Sequence, residues 1–232
     1  MEIYNEDCFE TFKKIKEGTI DLFLLDLPYG QTACEWDKII DLEEMWKEIK
    51  RTMKEEASIV FFATTKFGYK LIQSNEKWFR YDLVWKKNIP VGFFNCNNQP
   101  LRSHEMIYIF RKKGGIYNPQ KGKGKPYKKK PSVEETVYGK TKRIEKINLG
   151  DRYPTSILEY SRSSKTVHKT QKPLGLCEWL IKTYSNENDT VMDFTMGSGT
   201  TGLACKNTNR KFIGVEKDPE IFKIANERLN NK

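Results

Sequence analysis

The sequence predicts an α/β protein built on a doubly wound, mostly parallel seven-stranded sheet that is circularly permuted and carries an inserted basic lobe. Three observations support this. Strand-like and helix-like runs alternate at both ends of the chain, a Gly-rich turn lies near the C-terminal end, and one internal stretch holds the whole excess of positive charge. A length of 232 residues suits one such domain with a subdomain, because single cores stop growing near about 250–300 residues.

The strand candidates are "EIYN" (2–5), "IDLFLLD" (20–26), "ASIVFFA" (57–63), "YDLVWK" (81–86), "EMIYIFR" (105–111), "TVMDF" (190–194) and "KFIGVE" (211–216). Between them "DLEEMWKEIKRTMK" sets Leu42, Met45, Trp46, Ile49 and Met53 at helical spacing, as do the apolar residues of "PLGLCEWLIKTY" and "PEIFKIANERL". From about residue 112 to 165 the alternation stops. Residues 1–111 and 166–232 are therefore expected to form one domain, with 112–165 as a lobe inserted into it.

That lobe is where the charge sits. Residues 111–146 hold thirteen Lys or Arg against three Glu, which equals the net +10 of the chain and leaves the remainder neutral. Gly, Pro and Lys in "KGKGKPYKKK" argue against a packed element. Localised on a neutral domain, with Tyr117, Tyr127 and Tyr138 interleaved, the run reads as a phosphate-binding patch.

Other classes are disfavoured. No apolar run approaches the ~18 residues needed to span a bilayer, and "MEIYNEDC" has no hydrophobic core of a secretion signal, so a cytoplasmic location is expected. Cys8, Cys34, Cys96, Cys177 and Cys205 form no C-x-x-C pair, which points to reduced thiols and no metal site. Two histidines, His104 and His168, give a His-based centre little material.

Two stretches carry the chemistry. "TVMDFTMGSGTTGLAC" (190–205) reads as strand, Gly-rich turn and helix, the arrangement that brings backbone amides against a ligand. Gly197, Gly199 and Gly202 satisfy G-x-G-x-x-G, and Glu216 follows Gly197 by nineteen residues at the end of the next strand, where a carboxylate can hold ribose hydroxyls. Only thirty residues follow Gly202, too few to finish a nucleotide fold, so the N-terminal half must complete the sheet. If "TVMDF" and "KFIGVE" are its first two strands, "EIYN" is the third and "IDLFLLD" the fourth. First and fourth strands flank the topological switch point, which sets "DLPYG" (26–30) beside the Gly-rich turn. No Lys follows the glycines in P-loop register, so ATP hydrolysis is a weak reading.

In this order the motifs resemble those of the beta-type DNA amino-methyltransferases. "DLPYG" is similar to their D-P-P-Y motif, "HKTQKPLGL" (168–176) to the segment before the cofactor motif, "DFTMGSGTTGLAC" to the D-P-F-x-G-S-G-T-T turn, and "RKFIGVEKDPE" (210–220) to the strand bearing the ribose-binding acid. Leu27 replaces the first Pro of D-P-P-Y, and Phe194-Thr195 replaces Pro-Phe in the turn. The resemblance implies S-adenosylmethionine as cofactor, double-stranded DNA as partner, a catalytic domain over 1–111 and 166–232, and target recognition by 112–165. It leaves open a homodimer and a companion restriction endonuclease.

The resemblance also implies roles. Asp26 and the Leu27 carbonyl would accept hydrogen bonds from the amino group of a flipped base, with Pro28 shaping the turn and Tyr29 stacking on the base. Gly197, Ser198, Gly199 and Thr200 would hold the methionine end of the cofactor, Glu216 the ribose, and Asp7 and Cys8 the adenine edge. His168 and Lys172 would reach the cofactor carboxylate or order the preceding loop, and Asp193, Thr195 and Lys217 fall within the same cofactor motifs. Asp7 is equally a good helix N-cap. Lys121, Lys123, Lys125, Lys128, Lys129, Lys130, Lys142 and Arg143 would meet DNA phosphates. An Asp at 26 favours adenine N6 over cytosine N4, and the absence of Pro-Cys disfavours cytosine C5; RNA or protein amino groups stay as alternatives, with a non-catalytic nucleic-acid binder the weakest.

Overall fold

In the computed structural model, which describes residues 1–30, 40–137, 139–161 and 171–230, alternate residues of the central strands face two different helix layers. The strands of the large sheet are β1 (Glu2–Tyr4), β2 (Ile20–Leu25), β3 (Met53–Ala63), β4 (Phe79–Val91), β5 (Arg102–Arg111), β6 (Ile157–Glu159), β7 (Thr190–Asp193) and β8 (Lys211–Val215). The helices are α1 (Cys8–Phe12), α2 (Leu42–Thr52), α3 (Thr65–Ser74), α4 (Leu174–Tyr184), α5 (Thr200–Asn207) and α6 (Pro219–Asn230). Phe23 and Leu25 pack with Phe12, Met45, Trp46 and Phe67 on one face, while Leu22 and Leu24 pack with Leu176, Leu180 and Ala225 on the other. Strands covered on both faces read as continuous apolar runs, which is why "LFLL" shows no alternation.

The strand order is β1-β8-β7-β2-β3-β5-β4-β6. From β1 to β3 every pairing is parallel, and β5 runs antiparallel to both β3 and β4. The permuted order is therefore the one expected from the sequence, with β7 and β2 adjacent through Val191↔Leu22 and Met192↔Phe23. Among the described residues the sheet has eight strands rather than seven. Ile157–Glu159 joins β4 in parallel, and three residues are too few to show a period in the sequence. At Met53 the helix is replaced by strand: its backbone turns extended (ψ 147) and it pairs with Ile20, so β3 begins four residues before the expected "ASIVFFA".

Contacts divide the chain into a larger unit, Met1–Asn118 with Ser156–Lys232, and a smaller one, Pro119–Thr155. The smaller unit is narrower than 112–165 because Ile157–Glu159 belongs to the large sheet; the expected boundary at 165/166 lies outside the described residues. Within it, the expectation of no packed element is corrected. Gly122–Lys123 pairs with Asp151–Arg152, Tyr127–Lys129 with Lys146–Asn148, and Ser132–Thr136 with Gly139–Arg143, all antiparallel. Cation–π contacts flank these ladders: the Arg152 guanidinium lies 4.9 Å from the centre of the Tyr127 ring, and Lys121 Nζ 5.1 Å from that of Tyr153. Among the described residues no helix is long and apolar enough to cross a membrane.

In α3, a Cβ added at Gly68 would lie 2.1 Å from Cε2 of the Tyr108 ring, which is 5% exposed and has no room to withdraw. Gly68→Ala is expected to lower the unfolding free energy by about 1–3 kcal/mol in urea titration, reversing the ~1 kcal/mol that Ala normally gains over Gly in a helix.

Candidate active site

The carboxyl ends of β2 and β7 meet at the switch point of the sheet, and the two informative stretches meet there with them. Thr195 Oγ1 donates to the Asp26 carbonyl at 3.3 Å, joining residues 169 apart in sequence. The Leu27 side chain is 2% exposed and packs into the core, so its contribution to chemistry is confined to the backbone.

Around Asp26 the side chains form an alternating ionic chain. Lys172 Nζ donates to Asp26 Oδ2 at 2.6 Å and lies 3.0 Å from Glu105 Oε1; Lys87 Nζ lies 2.7 Å from Glu105 Oε2. Tyr29 Oη approaches Asp26 Oδ1 at 2.7 Å and Glu105 Oε1 at 3.3 Å, so its one proton has two acceptors to choose from. The side chains of Lys87, Glu105 and Lys172 are 8%, 11% and 12% exposed, against 31% for Asp26, which makes Asp26 the member of the chain that opens outward. Burial opposes ionisation of Glu105, yet the two ammonium groups outweigh it and hold its carboxyl down to about 2. Burial likewise opposes charge on Lys172, and Asp26 and Glu105 overcome it, raising its pKa above the ordinary lysine value. Burial and the adjacent carboxylates push the Tyr29 phenol well above its usual range. The Tyr29 ring packs against Phe67 with centroids 5.3 Å apart.

The Gly-rich turn is built from its own residues. Gly197 and Gly199 have φ of +52° and +77°, a left-handed backbone that favours glycine. The Gly199 amide donates to the Met196 carbonyl at 2.9 Å and the Gly197 amide to Glu216 Oε2 at 3.0 Å. Glu216 Oε1 accepts the Asp218 amide at 2.9 Å. Burial raises the Glu216 pKa, with these two amides partly offsetting it. Arg228 reaches back from α6 to the Ser198 carbonyl at 3.0 Å and Thr200 Oγ1 at 2.9 Å, tying the turn to the start of α5. Beneath it Phe194, which stands where the motif has Pro, fills the space between Phe12 and Phe23. Asp193 is buried and accepts from Thr201 Oγ1 at 2.6 Å and the Thr195 amide at 3.1 Å; burial outweighs both bonds and lifts its carboxyl to about 7.

Placed against the sequence expectations, Asp26, Leu27, Pro28 and Tyr29 lie together at the end of β2, and Asp193, Thr195, Gly197, Ser198, Gly199, Thr200 and Glu216 lie together at the ends of β7 and β8. Asp7 is the N-cap of α1, accepting from the Phe9 amide, and its other oxygen pairs with Lys217 at 3.0 Å. The Cys8 thiol is pushed up to about 12 by burial and by Asp7, which suits a packing thiol. The Lys172 ammonium lies between Asp26 and Glu105, at 2.6 and 3.0 Å. His168 lies outside the described residues. Of the lobe cations, Lys121 pairs with Asp151 and Lys128 with Glu145. Sequence reading missed Lys87 and Glu105. A charge closing "LVWKK" and another opening "EMIYIF" were the available signals, because antiparallel pairing of β4 and β5 sets Trp85 opposite Glu105 and brings both charges to one end.

A permuted, doubly wound sheet with a carboxylate and a Gly-rich turn at its switch point has the architecture of a nucleotide-cofactor-binding protein. Residues 20–227 match the family described as DNA methylase, and the chain belongs to that family. It is 29% identical to the type II methyltransferase M.HinfI of Haemophilus influenzae, over 98% of this chain and 67% of that protein. It is 28% identical to the type II methyltransferase M2.LlaDCHI of Lactococcus lactis subsp. cremoris, over 98% and 88%. The crystal structure of an M1.HpyAVI–SAM complex aligns with a TM-score of 0.69 at 28% identity, covering 98% of this chain and 99% of that one. PvuII DNA methyltransferase, described as cytosine-N4-specific, aligns with a TM-score of 0.66 at 18% identity, covering 99% and 94%, a likeness of fold alone.

Asp193 gives a pH signature. Its pKa of about 7 in the folded chain lies above the roughly 4 of an unfolded aspartate, so its contribution to stability is complete below pH ~4 and is lost as pH rises through 7. The urea midpoint of the native chain should fall from pH 5 to pH 8, and that of Asp193→Asn should fall less; parallel curves would locate the titration elsewhere.

Proposed function

We propose that this DNA methylase transfers a methyl group from S-adenosylmethionine to the N6 amino group of adenine within a specific sequence of double-stranded DNA, acting on a base rotated out of the helix. The observation that carries the reading is the pair of acceptors at the end of β2, the Asp26 carboxylate and the Leu27 carbonyl, at the switch point beside the Gly-rich turn. An aromatic amino nitrogen is a weak nucleophile because its lone pair is delocalised into the ring. Two acceptors on its N–H groups draw it toward tetrahedral geometry and localise that pair. Asp26 Oδ1 is engaged by Tyr29, whose hydroxyl has a second acceptor in Glu105; moving to it frees Oδ1 without stranding a buried hydroxyl. Lys172 stays between its two carboxylates throughout and fixes the Asp26 side chain through Oδ2.

Residues of the turn fit the cofactor. A Cβ at Gly197 would meet nothing within 4 Å, so the backbone there is open to close approach by a ligand. Each Glu216 oxygen takes one backbone amide and keeps a lone pair for a ribose hydroxyl. S-adenosylmethionine, when bound, supplies a methyl group activated on a sulfonium. Glu216, the Gly197–Thr200 turn and the Asp7–Lys217 pair at the head of α1 are the groups that would hold it. A location in the cytoplasm, where DNA and this cofactor meet, accords with the reading.

The smaller unit supplies the cationic surface. Its register sets Lys129 directly opposite Lys146, a like-charge pair that is unfavourable alone and is relieved by an anion such as a DNA phosphate. Lys123, Lys125, Lys130, Lys142 and Arg143 complete the patch. The sequence-specific reading carries with it a homodimer or a companion restriction endonuclease as arrangements to be tested by light scattering and pull-down.

Asp26→Ala leaves Lys172 paired with Glu105, so the fold should stand. Turnover is expected to fall at least about 100-fold while cofactor and DNA still bind; unchanged turnover would falsify the acceptor role. Single-molecule sequencing of DNA methylated by the purified protein reads base, atom and context together, and N4-methylcytosine in place of N6-methyladenine would overturn the target assignment. Replacing Lys128, Lys129 and Lys130 with Gln should weaken DNA binding and flatten its log–log salt dependence by about 0.9 for each phosphate no longer neutralised. An unmoved slope would remove these lysines from the interface.

A further inference from the structure

The hairpin between β4 and β5 ends in apolar side chains that no core covers. Phe93 is 75% exposed and Phe94 fully so, and Ile89, Val91 and Leu101 beside them are 60%, 37% and 41% exposed. The tip is shaped rather than frayed: Gly92 turns with φ +94°, Phe93–Asn95 forms a 3₁₀ turn, and Cys96 and Asn95 close it with backbone bonds of 3.1 and 3.0 Å. Residues 86–104 hold no carboxylate; of their three cations Lys87 is buried against Glu105 and Lys86 pairs with Glu159 at 3.0 Å, while Arg102, opposite Val91 at the foot of the tip, is exposed. An apolar tip with an exposed cation at its foot and no carboxylate of its own suits a polyanion with an apolar interior, which is the chemistry of a base stack.

The root of the same hairpin lies in the active site. Lys87 and Glu105 stand at its base on β4 and β5, and Glu105 contacts Tyr29 and Lys172 around Asp26. Five residues separate Lys87 from Phe93, and the six steps reach at most about 22 Å, or about six base-pair steps of ~3.4 Å. Resting on the base-flipping reading above, we propose that Phe93 and Phe94 form a wedge that enters the DNA stack near the target and fills the gap left by the extruded adenine. Aromatic side chains inserted between base steps unstack them and compensate the lost stacking, which lowers the cost of extrusion.

The test uses the full chain, an oligonucleotide duplex carrying the methylated site found by sequencing, and a second duplex with the target adenine mismatched, whose extrusion costs less. Phe93→Ala/Phe94→Ala removes little packing at such exposed positions, and its melting temperature should match the native chain. On the matched duplex kcat/KM should drop at least about tenfold; on the mismatched duplex most of that loss should disappear. Target fluorescence with 2-aminopurine at the adenine should rise less for the variant than for the native chain. Equal losses on both duplexes, or no loss on the matched one, would overturn the wedge. A native dimer made monomeric by the variant, with kcat/KM on the matched duplex unchanged, would reassign the pair to a contact between copies. A native chain that methylates no adenine in any DNA would overturn the underlying reading, an outcome distinct from active native enzyme with an equally active variant.

Discussion

The parallel pairing of β7 with β2 is the constraint on which the remaining arrangement depends. Its two register pairs, Val191↔Leu22 and Met192↔Phe23, place Asp193 and Asp26 at neighbouring strand ends and leave the turns that follow them no choice but to share one crevice. The bond from Thr195 to the Asp26 carbonyl then fixes the first turn against the second. Glycine is required beneath it where strand and helix press together: a Cβ on Gly202 would come within 2.7 Å of Phe212. Packing below the crevice and polar geometry above it are thus one problem, solved by small residues on one side and an aromatic cluster of Phe12, Phe23 and Phe194 on the other.

Above the crevice, charge alternation sets the geometry. Lys87, Glu105, Lys172 and Asp26 follow one another as cation, anion, cation and anion, so each of these charges has a partner and the set is neutral. Removing water from such groups costs several kcal/mol each, and their mutual attraction offsets this only when the contacts are close. Their value lies in definition: Asp26 has one preferred direction because Lys172 is anchored at Glu105, and Glu105 because Lys87 holds its other oxygen.

Much of this was legible from the chain alone, for physical reasons. The strands buried on both faces announce themselves as apolar runs, the Gly-rich turn by residue types that only a tight backbone needs, and the permuted order by how few residues follow that turn. The eighth strand was not legible because Ile157–Glu159 owes its extended form to β4 and not to its own pattern. Lys87 and Glu105 were hidden for the opposite reason. Each is an ordinary charge at a strand end, and only the β4–β5 register brings them to Asp26. The ion pairs of Lys172 were not legible, since sequence shows that a cation is present but not which of several carboxylates it will choose. The short ladders through "KGKGKPYKKK" were not legible because Gly, Pro and Lys argue against a packed element there, and the pairing partners at Lys146–Asn148 and Asp151–Arg152 lie outside the run.

The edge strand β1 bears on biosynthesis. Glu2–Tyr4 pairs with Ile213–Val215, so a strand made early waits for a neighbour that lies most of the chain away. At about 5–20 residues per second the interval is roughly 10–40 s, during which one edge of β2 also waits for β7. Closure of the crevice is thereby coupled to synthesis of β7 and β8, and in a nascent polypeptide the Gly-rich turn meets the end of β2 only after both have emerged. Such a topology favours late folding and a dependence on chaperones that shield exposed apolar strands.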